Sequence, residues 1–355
     1  MSEIKTIDVR VNPPYQVHIG AGLLSRCGEF LSKAVGSCRL AVVADSTVAP
    51  LYLSTVTGSL RKAGYPVSTY LYPAGEAHKN LATLSGILEF LAAEHLTRSD
   101  CVVALGGGVC GDMAGFAAAV YLRGIRYVQL PTTLLSAVDS SVGGKTAIDL
   151  KAGKNLAGAF LQPSLVLCDT DTLRTLPPEV FADGAAEAIK TGVLCDESLF
   201  SLFDTENLHA DIGAIAARCI AFKSSVVEQD EKDNGVRRTL NLGHTAGHAI
   251  EKCAGFTITH GHAVAIGMVL IARAAEKLGW NEVPCADRIA AVLRRNHLPT
   301  ETAYSARQLA EAALSDKKRR GGTISLVIPR RIGECDMKTI PVTELERVFA
   351  AGLEG

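Results

Sequence analysis

Through the first half of the chain, short unbroken apolar runs alternate with longer segments of helical period. RLAVVAD (Arg39–Asp45), CVVALG (Cys101–Gly106), YVQLP (Tyr127–Pro131) and LVLCD (Leu165–Asp169) read as strands covered on both faces. Between them, LATLSGILEFLAAEHL (Leu81–Leu96) and GDMAGFAAAVYL (Gly111–Leu122) read as helices. Strand and helix in alternation predict a parallel sheet with helices on its faces. After TLPPE (Thr175–Glu179) the pattern changes. Helical period dominates from about Ala182 to Leu298, and only TISLVIP (Thr323–Pro329) reads as a later strand. The boundary is expected near Leu176–Pro178. That gives an α/β domain over residues 1–176 and a mainly α-helical domain over 177–355, with no internal repeat and no low-complexity linker.

Composition narrows the partners. The chain has 355 residues, 48% hydrophobic and 21% charged, with a formal net charge of −1. A balance so close to neutral gives no bulk attraction for nucleic acid or a membrane surface, and an aromatic content of 5% supplies few base-stacking platforms. No run of 18 apolar residues appears, and MSEIKTIDVRVN lacks the apolar stretch of a secretory signal. The ten cysteines stand singly, without a CxxC pair, as expected for reduced thiols in the cytoplasm.

Two glycine-rich segments carry candidate anion chemistry. Gly106-Gly107-Gly108-Val109-Cys110-Gly111 follows a strand and opens a helix, the setting in which backbone N–H groups hold a dinucleotide pyrophosphate. A parallel sheet carrying such a turn is Rossmann-like. The acidic residue usually found about 20 positions further on is missing; the next strand ends in Leu130-Pro131-Thr132-Thr133, and Asp112 follows the last glycine directly. The ribose contact then falls to Asp45, or to Glu76 and Lys79. A tight structural turn is the plainer alternative. The second segment, SSVGGKTAIDLKAGKN (Ser140–Asn155), ends like a P-loop but has Asp139 where the first glycine belongs, which excludes a Walker site. Lys145, Lys154 and Asn155 remain candidate anion ligands on a flexible loop, or simply solvated surface residues.

The stretch from Arg237 to His262 holds four of the nine histidines. His244 and His248 are four apart and share a helix face; His260 and His262 follow a glycine-containing break. Clustered imidazoles near a carboxylate suit a divalent metal, and Gly243, Gly247 and Gly261 allow close approach. Upstream, Asp183, Glu187 and Lys190 share a helix face, as a surface ion pair or as a carboxylate and amine for that metal.

Taken together, these motifs resemble the 3-dehydroquinate synthases of the sugar-phosphate cyclase superfamily. The resemblance is carried by GEAHK (Gly75–Lys79), GGGVCGDMAGF (Gly106–Phe116), Arg123-Gly124 and LPTTLLSAVDSSVGGKTAID (Leu130–Asp149). It continues through GKN (Gly153–Asn155), TLP (Thr175–Pro177), EAIK, RRTLNLGHTAGHAIE, HGHAVAIGM (His260–Met268) and DKK (Asp316–Lys318), in order over most of the chain. It implies an NAD-binding α/β domain, a helical domain, an active site between them and a homodimer. It implies Glu187, His244 and His260 as ligands of one divalent ion, zinc or cobalt, with His248 a substrate contact and proton-transfer group rather than a ligand.

The resemblance also implies an enzyme that converts 3-deoxy-D-arabino-heptulosonate 7-phosphate to 3-dehydroquinate and phosphate. Lys145, Asn155, His248 and Lys317 or Lys318 are expected around the substrate phosphate, and Arg123 is expected across the dimer interface. Lys223, Arg237 and Asn241 are expected at the carboxylate, and Asp139 and Lys190 near the hydroxyls. Asp233 stands where the family often has Glu, one methylene longer. The NAD contacts expected are Asp45, Glu76, Lys79, Gly107, Gly108, Val109, Asp112, Thr132, Thr133, Lys154 and Thr175; His262 is left outside the core site. The rivals are a cyclitol-forming cyclase whose substrate lacks the carboxylate, a metal-dependent polyol dehydrogenase, and a non-catalytic NAD-binding protein.

Overall fold

The computed structural model describes residues 4–204, 208–314 and 322–354, without the side chains at 209 and 210. The chain divides into two compact units: Met1–Leu176 with Lys223–Lys232, and Pro177–Phe222 with Asp233–Gly355. The segment Lys223–Lys232, placed with the helical domain from the sequence, groups with the first unit instead.

The first unit runs β1 (Lys5–Val9), β2 (Tyr15–Gly20), α1 (Cys27–Ala34), β3 (Leu40–Asp45), α2 (Ser54–Lys62), β4 (Val67–Tyr72) and α3 (Leu81–Ala93). It continues through β5 (Cys101–Gly106), α4 (Gly108–Val120), β6 (Arg126–Pro131), β7 (Lys145–Leu150), β8 (Gly153–Phe160) and β9 (Leu165–Asp169). Seven strands form one sheet in the order β1-β2-β9-β6-β5-β3-β4. Every neighbouring pair is parallel except β1 with β2.

Side-chain alternation explains the unbroken apolar runs. Val42, Val103, Val128 and Leu167 point to a face packed by α1 and α2 through Leu31, Val56 and Leu60. Ala41, Val43, Val102 and Tyr127 point to the other, packed by α3 and α4 through Ile87, Leu91, Met113 and Ala117. Both faces are covered by helices, so the central strands read as near-continuous apolar runs rather than alternating ones.

Two readings need correction here. Ser140–Asn155 is not a flexible loop: its latter part forms most of an antiparallel hairpin of β7 with β8. The helix read from Gly111 begins three residues earlier, at Gly108, so the last glycine lies within its first turn.

The second unit contains α5 (Pro178–Cys195), α6 (Glu197–Leu202), most of α7 (Leu208–Gln229), α8 (His244–Cys253), α9 (His260–Lys277), α10 (Ala286–Arg295) and α11 (Ala306–Leu314). A strand pair, β10 (Thr323–Arg331) and β11 (Glu334–Pro341), precedes α12 (Leu345–Leu353). Helix α9 is the axis, packed by α5, α8 and α12. The strand read at Thr323–Pro329 is therefore not alone. It pairs antiparallel with β11, whose sequence, ECDMKTIP, is too polar and exposed to stand out.

Helices α8 and α9 touch backbone to backbone. Gly243, left-handed at φ +75°, precedes α8, and a Cβ on Gly267 of α9 would fall 2.1 Å from the Gly243 carbonyl oxygen. Gly267→Ala must push the start of α8 away, an overpacking that costs about 1–3 kcal/mol. Gly58 of α2 has nothing within 4 Å of an added Cβ, so Gly58→Ala should stabilise by about 0.5–1 kcal/mol. Urea unfolding of the two variants checks the contrast; equal stabilities would show that the α8–α9 approach tolerates a methyl group.

Candidate functional site

In the first unit the glycine turn is shaped by its neighbours. A Cβ on Gly107 would lie 2.9 Å from Thr133 Cγ2, and one on Gly108 would lie 3.0 Å from Ser140 Oγ. Only glycine lets the backbone lie this close. Helix α4 starts there without a side-chain cap or an acidic residue in its first turn, which leaves a helix start suited to a phosphate. Thr132 beside it is 2% exposed, and its hydroxyl has no hydrogen-bond partner. These features fit a dinucleotide.

Asp45 ends β3, next to β5, and its Oδ1 accepts from the backbone N–H of Thr47 (2.8 Å) and Val48 (2.9 Å). Beside it, an open, mainly apolar cleft of about 600 Å³ is lined by Ser46, Pro50, Leu53, Leu71 and Tyr72. The sequence reading missed this cleft. Its one signal is Leu71, an apolar strand residue that is 51% exposed.

A polar cluster gathers further expected contacts. The Lys79 amine lies 2.6 Å from Asp112 Oδ2 and donates to Asn155 Oδ1 at 2.6 Å. Burial alone would lower Lys79, but Asp112 and Glu76 outweigh it and hold the amine above its ordinary value. Lys154 faces Glu76 at 3.8 Å. Asn155, expected at the substrate phosphate, thus sits with the expected NAD contacts. Thr175 shares a hydroxyl contact with Tyr52. Lys223 and Asp139, expected at different parts of the substrate, are paired through Nζ and Oδ1 at 2.8 Å. Lys145 is exposed on β7, and Arg123 is exposed with φ +69°.

In the second unit three helices deliver the candidate metal group. Glu187 comes from the middle of α5, and His244 and His260 are the first residues of α8 and α9. One ligand atom from each lies within 4.8 Å of the others. Glu187 Oε1 stands 3.7 Å from His244 Nε2 and 3.6 Å from His260 Nε2. It accepts no hydrogen bond, although Glu187 is 1% exposed. Ligand atoms around tetrahedral zinc are about 3.4 Å apart, so the spacing suits a divalent ion better than direct hydrogen bonds.

Charge supports the same fit. Burial would raise Glu187, but Lys190, 2.5 Å from Oε2, and the two imidazoles hold it well below the ordinary carboxylate range. Burial, then the charge of Lys190, holds His244 well below its usual value, which keeps the imidazole neutral. His260 is opposed by burial but raised to about 10 by Glu187 and Glu251, so a proton and a metal compete for the space between these carboxylates. His248 stands beside both rings, with centroids 5.4 Å from His244 and 5.9 Å from His260. Arg237 is 3% exposed, not a surface cation. Asn241 and Asp233 are half-buried, Asp233 at φ +58°. Lys317 and Lys318 lie outside the described residues.

Two carboxylates escaped the sequence reading. Glu251 of α8 is 3% exposed and faces His260 Nδ1 at 3.6 Å. Asp183, noted only as a helix-face neighbour of Glu187, caps a different helix: its Oδ1 accepts from the backbone N–H of His262 at 3.2 Å and faces His262 Nδ1 at 3.3 Å. It ties the first turn of α9 to α5, and with it His260 to Glu187. Nothing in the sequence marks Glu251 as buried; an acid three residues after His248 reads as an ordinary exposed helix residue.

The fold that carries the glycine turn and the carboxylate–imidazole group is shared with solved sugar-phosphate cyclases. A 2-deoxy-scyllo-inosose synthase complexed with carbaglucose-6-phosphate, NAD+ and Co2+ matches with a TM-score of 0.88 at 25% identity, over 99% of this chain and all (100%) of the other. A 2-epi-5-epi-valiolone synthase from Streptomyces hygroscopicus with NAD+ and Zn2+ bound matches with a TM-score of 0.87 at 26% identity, over 100% and 99%. Residues 69–183 match the 3-dehydroquinate synthase N-terminal family and residues 184–319 its C-terminal counterpart. A 3-dehydroquinate synthase from Pelobacter propionicus is 47% identical over 96% of both chains. The chain belongs to the 3-dehydroquinate synthase family.

The Asp183 cap is testable apart from catalysis. Burial would raise this carboxyl, but hydrogen bonds from His262 and Thr259 and the charge of His260 outweigh it and hold it below the ordinary aspartate value. Its stabilisation is therefore complete above the unfolded value of about 3.9 and is lost as pH falls through the folded value. Asp183→Ala should lose about 1–2 kcal/mol at pH 7, and its gap from wild type should narrow between about pH 5 and pH 3. Urea melts across that range decide it; a gap that does not change with pH would remove the carboxylate from the explanation.

Proposed function

We propose that this chain converts 3-deoxy-D-arabino-heptulosonate 7-phosphate to 3-dehydroquinate and phosphate, a carbon–oxygen lyase reaction of the shikimate pathway. The observation that carries the reading is the convergence of Glu187, His244 and His260, from three helices, in a chain of this family. The reaction is an oxidation, loss of phosphate, a re-reduction and an intramolecular aldol closure. When bound, NAD takes up and returns a hydride, and a divalent ion polarises the substrate's hydroxyl oxygens.

The chain's own groups supply binding and orientation. Gly107, Gly108, Val109 and the start of α4 receive the NAD pyrophosphate. Asp45, Glu76, Lys79, Asp112, Thr132, Thr133, Lys154 and Thr175 hold the remainder, and Glu187, His244 and His260 hold the ion. Lys145, Asn155, His248 and Lys317 or Lys318 take the substrate phosphate. Lys223, Arg237 and Asn241 take its carboxylate, and Asp139, Lys190 and Asp233 its hydroxyl side. His248 moves a proton at the phosphate-bearing end. We further propose a cytoplasmic homodimer in which Arg123 reaches the neighbouring subunit's substrate. Its support is the exposed apolar set Val120, Leu122, Leu156 and Phe160 near Arg123 and on β8, and the ten free cysteines. A dimer mass by light scattering is the expected result.

Purified protein incubated with the heptulosonate phosphate, NAD+ and Zn2+ should release phosphate while absorbance at the NADH band stays flat. A stoichiometric rise in NADH would instead favour a polyol dehydrogenase. Chelation with EDTA should abolish activity, and His244→Ala should no longer retain metal; full occupancy in that variant would remove the ligand assignment.

The carboxylate reading separates this reaction from the cyclitol-forming cyclases. Arg237 presents a planar fork that lysine cannot reproduce. Arg237→Ala should lower kcat/KM roughly 100-fold or more, a contact worth about 3 kcal/mol. A variant within threefold of wild type, or wild-type protein that cyclises glucose 6-phosphate equally well, would favour the cyclitol-forming reading.

A further inference from the structure

The two histidines of the metal group are arranged alike. His244 turns Nε2 toward Glu187 Oε1, while its Nδ1 lies 3.0 Å from the backbone oxygen of Leu242. His260 also turns Nε2 toward Glu187 Oε1. The group at its Nδ1 is not a carbonyl but the carboxylate of Glu251, 3.6 Å away. Glu251 is 3% exposed and lies on α8, one turn beyond His248 and two turns beyond His244, while His260 opens α9. A buried carboxylate on one helix thus faces the rear nitrogen of an imidazole on the next.

We infer that Glu251 is a positioning residue, whose carboxylate accepts the Nδ1–H of His260 and so fixes the tautomer in which Nε2 offers its lone pair to the divalent ion. The inference rests on reading Glu187, His244 and His260 as the metal ligands. An imidazole binds metal through one nitrogen while the proton sits on the other, and an anionic acceptor behind the ring both orients it and raises its basicity. The Leu242 carbonyl serves His244 in this way, and Glu251 serves His260. A second arrangement uses the same residues differently: His248, Glu251 and His260 also bring ligand atoms within 4.8 Å of one another. Glu251 would then be a ligand itself. That arrangement leaves buried Glu187 Oε1 with only the two imidazole nitrogens at 3.6 and 3.7 Å, longer than a hydrogen bond, which is why the positioning role is preferred.

The test measures metal binding rather than turnover. Glu251→Ala, Glu251→Gln and His244→Ala are prepared metal-free, and their folding is checked by circular dichroism. Zn2+ affinity is read by competition with a chromophoric chelator, and Co2+ is added to report coordination by visible absorption. Glu251→Ala should bind Zn2+ about 10–100-fold more weakly than wild type. Glu251→Gln, whose amide oxygen still accepts a hydrogen bond, should lose less but at least about threefold. The Co2+ spectrum should keep its band pattern with shifted maxima. The isosteric Gln variant carries the test should the Ala variant fail to fold.

Unchanged affinity and an unchanged Co2+ spectrum in the folded variants, with only the metal-free melting temperature lowered, would show a merely structural Glu251 and overturn the inference. Loss of the ion from both Glu251 variants with full retention in His244→Ala would overturn it in favour of the His248–Glu251–His260 set. Full retention in His244→Ala together with both Glu251 variants would overturn the ligand reading on which the inference stands.

Discussion

A carboxylate at 1% exposure in the middle of α5 is the constraint from which the second unit's architecture follows. An ionised carboxylate removed from water loses several kcal/mol of solvation unless cations are placed around it. Lys190, on the same helix, meets one oxygen. The other is left to groups that must come from elsewhere in the chain, and α8 and α9 arrive with an imidazole at each of their first positions. The glycines that let α8 and α9 touch, and the Asp183 cap that holds α9 to α5, fix how near those imidazoles stand. Removing Lys190 would leave a buried charge half-answered, which is more damaging than losing a surface ion pair.

The first unit follows a related logic with backbone in place of side chains. Its sheet is covered on both faces, so the edges of its elements are where chemistry can reach solvent. The turn between β5 and α4 packs so tightly on Thr133 and Ser140 that no side chain intrudes, and the start of α4 is left to a ligand. In both units some of the candidate groups lie at the first residues of helices or the last of strands: Asp45 ends β3, Gly108 opens α4, and His244 and His260 open α8 and α9. Such positions have backbone groups not consumed by the regular ladder.

What could be read from the sequence follows the same division. The strands at Cys101–Gly106 and Leu165–Asp169 were legible because a doubly buried strand is an uninterrupted apolar run. The hairpin of β7 and β8 was not, because its glycines and lysines look like a loop when the partner strand is unknown, and β11 was hidden by its polar exposed face. The histidines drew attention through clustering, and the family resemblance narrowed them to the set that the helices bring together with Glu187. Glu251 and the capping role of Asp183 were invisible for one reason: an acid on a helix is exposed by default, and only the packing of a second helix buries it.

On the proposed ligand assignment, the protein's persistence is also tied to its metal supply. Glu187, His244 and His260 lie far apart along the chain, so the set exists only once α5, α8 and α9 have packed. An ion held by all three binds the folded chain and not the unfolded one, and a concentration a hundredfold above its dissociation constant adds about 2.7 kcal/mol to stability. A cell short of the ion would then hold fewer molecules, as well as less active ones, because the metal-free chain opens more often to proteolysis.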